Sequence, residues 1–171
     1  MPALVLGIGL GGFIDGIVLH QILQWHHLLT NTDRYPADTI AGLEANTLAD
    51  GLFHAATWIF VFVGTWLAIK AWKDGRLAPP WRTHIGLLLA GWGSFNLVEG
   101  VVDHHVLRVH HVRDDVPEPL PWDLGFLAFG VLLVAMGLLL VHSGRQVAAG
   151  RAASATEPKV TSSPSGATEG P

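Results

Sequence analysis

DGIVLHQILQWHH (residues 15–27) is the stretch on which the reading of this chain turns. It places a carboxylate and three histidines inside a segment that is otherwise greasy from Ala3 to Leu29. About 20 apolar residues span a bilayer, and that segment is long enough. Three more segments qualify, at residues 51–72, 84–107 and 122–141. The chain as a whole is 50% hydrophobic and 14% charged, more apolar and less charged than a typical soluble domain. The expected fold is therefore all-α, a four-helix transmembrane bundle, with residues 1–143 as its membrane domain. The start of the chain lacks a basic n-region and runs straight into these polar positions, so it is read as a retained span and not as a cleaved signal.

The same pattern returns as EGVVDHHVLRVHH (residues 99–111). Asp15 aligns with Glu99, Gly16 with Gly100, His20 with His104, Leu23 with Leu107, and His26–His27 with His110–His111. The segments that follow match more weakly: DGLFHAATWIFVFVG (50–64) and DLGFLAFGVLLVAMG (123–137) share Asp, Phe, Ala, Val and Gly in register. This pattern points to a duplicated two-helix unit, whose pseudo-twofold axis would run along the membrane normal.

At about 100° per residue, His26 falls beside Asp15, with His20 and His27 further round. Ile14, Ile17, Val18, Trp25 and Leu28 occupy the opposite, lipid-facing sector. On the second span, Asp50, His54 and Thr57 form a stripe at i, i+4 and i+7. All of these groups sit toward one end of the bundle, which suggests a one-sided polar pocket with its mouth at that face. Ionisable groups within a membrane are expensive and usually paired or functional. Histidines with carboxylates form a nitrogen–oxygen donor set suited to a divalent transition metal: iron, zinc, manganese or copper(II). Helical bundles build dinuclear sites from such inward residues. The expected ligands are Asp15, His20, His27, Glu99, His104 and His111, because they recur at equal angles and depths. His26, His110, Asp50, His54 and Asp103 are second choices, as ligands or as orienters of ligands. Asp50 and Asp123 also suit helix N-caps. His84 and His142, at the other end, read as structural. The Gly7, Gly11 and Gly12 run is assigned to close helix packing, since no strand precedes it to make a phosphate loop.

There is no cysteine, hence no disulfide or thiolate site. No basic patch interleaved with aromatics points to nucleic acid. Residues 144–171 turn rich in Ala, Ser, Thr, Gly and Pro and read as a disordered tail. Lys70, Lys73, Arg76, Arg82, Arg145, Arg151 and Lys159 gather at one end of the spans, against Arg34, Arg108 and Arg113 at the other. The positive-inside rule then puts both termini in the cytoplasm and the histidines outside.

GGFIDGIVLHQILQWHH, ADGLFHA and GWGSFNLVEGVVDHHVLRVHHVR together resemble an uncharacterised bacterial family of predicted His-rich membrane proteins, catalogued as a domain of unknown function. The resemblance covers nearly everything up to Gly144. It implies a four-helix protein of the bacterial inner membrane. Through a gene neighbourhood shared with a cytochrome-oxidase assembly factor, it also implies a link to copper or respiration, with respiratory or metal-insertion membrane proteins as partners. It supplies no site residues. The HH pairs are also weakly similar to those of membrane di-iron hydroxylases and desaturases, which instead carry HxxHH-type boxes in cytoplasmic loops. Three functions fit this sequence: a metal-dependent enzyme or redox protein with a non-haem site; a metal-handling protein holding or delivering copper or zinc; and a bis-histidine haem protein using His20 and His104. Homo-oligomers are compatible with all three.

Overall fold

A computed structural model of the chain describes residues 2–76 and 79–156. Four helices are long and apolar enough to cross a membrane. The first is α1 (Pro2–Asp15), continued by a π-helical turn at Gly16–Ile22; the second is α2 (Ile40–Lys73). The third is α3 (Trp81–Glu99), with its own π-helical turn at Gly100–Val106; the last is α4 (Leu120–Thr156). No strand occurs among the described residues.

Helices α1 and α3 form the centre, with α2 packed on α1 and α4 packed on α3. Glycine makes the close approaches. A Cβ on Gly7 would run into the Leu88 carbonyl, and one on Gly91 into the Leu4 carbonyl, so α1 and α3 cross backbone to backbone. Gly9 sits in the same way against Thr57 and Val61 of α2, and Gly93 against Gly130 and Val134 of α4. Small residues serve this purpose where lipid tails give helices no hydrophobic reason to associate.

The burial pattern is inverted relative to a soluble protein. The largest fully buried side chains are His20, His26, His104, His110, Asn46, Asn96, Asp50 and Asp123, while Trp58, Phe62, Trp66, Leu138 and Leu139 lie outward on α2 and α4. Lipid solvates the outer apolar faces, and the interior is left to groups that can satisfy one another.

Several expected boundaries move. The first span ends at Ile22, short of Leu29. Helix α2 starts at Ile40, eleven residues before the expected Gly51, with Thr39 as its N-cap accepting from Gly42 N at 3.1 Å. Asp50 is therefore interior to α2 and is no cap. Helix α4 runs through Gly144 to Thr156, so the tail expected from residue 144 begins inside a helix; residues 157–171 lie outside the described residues.

Candidate metal centre

The π-helical turns are the local feature that assembles the site. In an α-helix, residues five apart point to different sides. A π-turn, bonded i to i+5, brings them together. It thus sets His20 Nε2 at 3.2 Å from Asp15 Oδ2, and His104 Nε2 at 3.0 Å from Glu99 Oε1. Each turn then ends at a residue in the left-handed region, Gln24 (φ 51°) and Arg108 (φ 52°). That conformation is strained for a side-chain-bearing residue, and it folds the chain back on itself. Trp25 N bonds back to Leu19 O and Val109 N to Asp103 O, at 3.0 Å each. The reversal returns His26 and His110 to the bundle axis.

There the two halves lock together. His26 Nδ1 donates to Val112 O at 2.9 Å and His110 Nδ1 to Leu28 O at 3.1 Å, each reaching into the opposite half. Asn31 N donates to Val109 O and Asp114 N to Trp25 O, tying the loops across the top. The His26 and His110 rings stack at 4.5 Å, 9° from parallel. His20 meets His26 edge-on at 4.3 Å, and His104 meets His110 at 4.9 Å.

Asp50 and Asp123 hold this cluster from behind. Asp50 Oδ1 accepts from His20 Nδ1 (2.8 Å) and Leu28 N (2.9 Å), and its Oδ2 accepts from His27 Nδ1 (2.7 Å). Asp123 does the same for the other half, accepting from Val112 N at 2.9 Å and His111 Nδ1 at 2.7 Å, while His104 Nδ1 lies 3.4 Å from its Oδ1 without forming a hydrogen bond. A carboxylate behind an imidazole fixes its tautomer and aims its second nitrogen.

Two groupings of side chains could hold a metal ion: His20, His26 and His110, and Glu99, His104 and His110. In each, the ligand atoms lie within 4.8 Å of one another, and all five residues are buried. Of the residues expected as ligands, the structure brings His20, Glu99 and His104 into these groupings, with Asp15 beside His20. It exchanges the histidine pairs. His26 and His110, expected in supporting roles, are central. His27 and His111 point away, onto Asp50 and Asp123, with side chains 15% and 21% exposed. The angular reading went astray because no helix continues past Ile22 or Val106. His54 stays apart, bonded to Asp50 O at 2.7 Å and resting on Gly16, and Asp103 sits half-buried at the rim. His142 is exposed and bonded to Gln146, remote from the cluster. Asp123 was missed as a site residue, although its alignment with Asp50 carried the signal.

The centre is not an open pocket. His26 and His110 are 2% and 0% exposed beneath the interlocked loops. Burial, with His110 and His20 alongside, pushes the His26 imidazole well below its ordinary basicity and keeps it neutral.

The donor atoms fit a metal. His110 Nδ1 faces a carbonyl, so it carries the proton; its Nε2 then points a lone pair at Glu99 Oε1, 3.0 Å away. His20 and His104 likewise have acceptors beside both ring nitrogens. A cation between nitrogen and oxygen resolves each clash. Metal–ligand bonds of about 2.0–2.2 Å put neighbouring donors roughly 3 Å apart, the separation of the His20–Asp15, His104–Glu99 and His110–Glu99 pairs, while each full grouping lies within 4.8 Å. Several buried atoms make no well-aligned hydrogen bond: both Asp15 oxygens, Glu99 Oε2, the Nε2 atoms of His20 and His26, and both ring nitrogens of His104, although the His20 and His104 nitrogens lie near carboxylate oxygens. Such orphans are costly in a low-dielectric interior.

The chain belongs to the family described as predicted membrane protein (DUF2243), whose model matches residues 2–144. No curated protein and no solved structure matches it.

Proposed function

We propose that this membrane protein carries a resident non-haem metal centre, held by His20, His26, His104, His110 and Glu99 with Asp15 alongside, and uses it in redox or catalytic chemistry. The observation that carries the reading is the unpartnered Nε2 of buried His26 beside three imidazoles that face acceptors. Three buried imidazoles have acceptors at both nitrogens, and the fourth, His26, is held neutral with a free Nε2. Protons alone would serve His20, His104 and His110; the free nitrogen of His26 calls for a metal.

Charge supports two ions. Asp15, Asp50, Glu99 and Asp123 bring four carboxylates into the interior. Bound dications would offset their charge in a low-dielectric site. The Glu99, His104 and His110 grouping is a two-histidine, one-carboxylate set of the kind found with non-haem iron. We ascribe the matching half-sites to duplication of a two-helix unit.

Resident rather than cargo metal follows from enclosure: loops bonded across the top would slow exchange. The donors are all nitrogen and oxygen, and Met136, the one methionine besides Met1, lies on the exposed flank of α4, which disfavours copper(I) delivery. A bis-histidine haem does not fit, because the stacked His26 and His110 rings fill the space between His20 and His104. The basic-residue bias supports an outer-face location for the centre in a bacterial inner membrane.

The test is elemental analysis of detergent-purified protein expressed with iron, copper, zinc and manganese supplied. His110→Ala should abolish bound metal, because both groupings use it. His27→Ala should retain most of it, and His142→Ala all of it. Wild-type protein without metal, or full metal in His110→Ala, overturns the reading.

A further inference from the structure

Beside the histidine cluster, between α1 and α4, lies a cavity of about 400 Å³. Its size is in the range of small-ligand sites. Trp25, Trp92, Trp122, Phe126 and Phe129 line it, and Phe126 lies 5.4 Å from the His104 ring. Two polar side chains, Asp15 and Asn96, share the wall. Both are buried; Asn96 Oδ1 and Asp15 Oδ1 have no hydrogen-bond partner, and Asp15 Oδ2 has only His20 Nε2 near it, at 3.2 Å and without hydrogen-bond alignment. Native interiors seldom leave such atoms unsatisfied without a reason.

Most of the aromatic wall has no twin in the other half. At the matched positions, Phe126 keeps an aromatic counterpart, Phe53, but Trp25 is replaced by Val109, Trp92 by Ile8, Trp122 by Ala49, Phe129 by Ala56 and Asn96 by Gly12. The helix crossings and histidine supports match between halves, so packing of the scaffold does not demand these rings.

The end of the cavity toward the loops is closed. Trp25 and Trp122 meet edge to face at 5.3 Å, and the Arg113 guanidinium lies over both, 4.9 and 4.8 Å from their ring centres. Helices α1 and α4 do not pack against each other, so the way in is lateral, from the hydrocarbon of the bilayer.

We propose that this cavity binds a membrane-dissolved aromatic alcohol, of the phenol or quinol class. The ring would lie among the aromatic walls, its hydroxyl would donate to the Asp15 carboxylate, and its alkyl tail would run into lipid. Asn96 supplies a second hydrogen-bonding group at the polar end. An alkyl chain alone would leave Asp15 and Asn96 unsatisfied. This site stands without the metal; that its ligand meets the metal centre rests on the function proposed above.

Protein in lipid nanodiscs, labelled with a photoactivatable alkylphenol and mapped by mass spectrometry, tests this. Labelling should fall on the cavity walls. 4-Octylphenol should compete at least about tenfold better than octylbenzene at equal mole fraction in the lipid, as expected when the apolar competitor leaves buried polar groups unsatisfied. Gly125→Leu should abolish labelling. Gly125 lines the cavity and no atom lies within 4 Å of where its Cβ would stand, so the leucine fills the space without disturbing packing. Asn96→Leu should weaken competition by the phenol and leave octylbenzene unaffected. Equal competition by both compounds, or labelling that survives Gly125→Leu, overturns the proposal. Metal content read on the same samples separates the two ideas. Gly125→Leu protein should keep the wild-type amount, and metal-free wild type would refute the metal centre alone.

Discussion

Asp50→Asn is the most informative single change, because it keeps the shape of a buried support while removing its charge and one acceptor. Three N–H groups rest closely on that carboxylate, at 2.8, 2.9 and 2.7 Å from His20, Leu28 and His27, with Gln21 Nε2 a longer fourth at 3.4 Å. An asparagine oxygen turned toward His20 and Leu28 retains two bonds and sets an amide N–H against the His27 N–H. Bonds to an ionised acceptor contribute about 1.5–3 kcal/mol and neutral ones about 0.5–1.5, so the two retained bonds weaken by roughly 1 kcal/mol each. The third is partly recovered from water, since His27 reaches the surface. The loss is therefore about 2–4 kcal/mol in holding His20 Nε2 on target. Removing a support behind a metal-bound histidine lowers affinity about 10–100-fold, which agrees, tenfold being about 1.4 kcal/mol. Titration of the stripped protein with zinc against a competing chelator measures this. Asp123→Asn should show the smaller effect of the two, because its His104 contact is already 3.4 Å long. Affinity of Asp50→Asn within about twofold of wild type would refute the argument that Asp50 aims a ligand.

Gly7→Val should destabilise the bundle by about 1–3 kcal/mol or more, since its side chain meets the Leu88 backbone, which cannot yield as a side chain would; unfolding in detergent checks it, with Gly51→Val, whose Cβ meets nothing, as control. The neutral His26 makes stability sensitive to acid. Its folded-state pKa lies below the ordinary 6.5, so its contribution is complete above that pH and is lost as pH falls toward the folded value, where the unfolded chain alone takes up the proton. Metal-stripped His26→Gln should therefore lose less melting temperature between pH 7 and pH 5 than stripped wild type; identical slopes would exclude the mechanism. Reporter fusions after Gly75 and after Asp115 should report opposite sides of the membrane, and cytoplasmic activity at Asp115 would reverse the orientation.

Part of the histidine–carboxylate cluster was legible in the sequence. The recurrence of acid, histidine and a histidine pair in two apolar spans marked Asp15, His20, Glu99 and His104, and these four do converge. The exchange of His27 for His26, and of His111 for His110, was not legible. Neighbouring histidines are chemically identical in a sequence, and which one turns inward depends on where the helix stops. Asp50 and Asp123 were ambiguous for a related reason. An aspartate near an expected helix start reads as a cap, and only the earlier start of α2 at Ile40 shows that Asp50 has no free helix end to cap.

Composition and periodicity alone determined that this chain has four helices able to cross a membrane, with its histidines and their carboxylates gathered toward one end. That follows from transfer free energies, which depend on residue type and run length and not on neighbours. The tertiary structure decided which nitrogens meet. A π-turn and a left-handed residue redirect the chain by more than any side-chain preference announces, and their strain is held by contacts from the other half: Val112 O on His26, Leu28 O on His110, and the loop bonds across the top. Each half-site is completed by residues some eighty positions away, so its geometry belongs to the pair and is written in neither stretch alone.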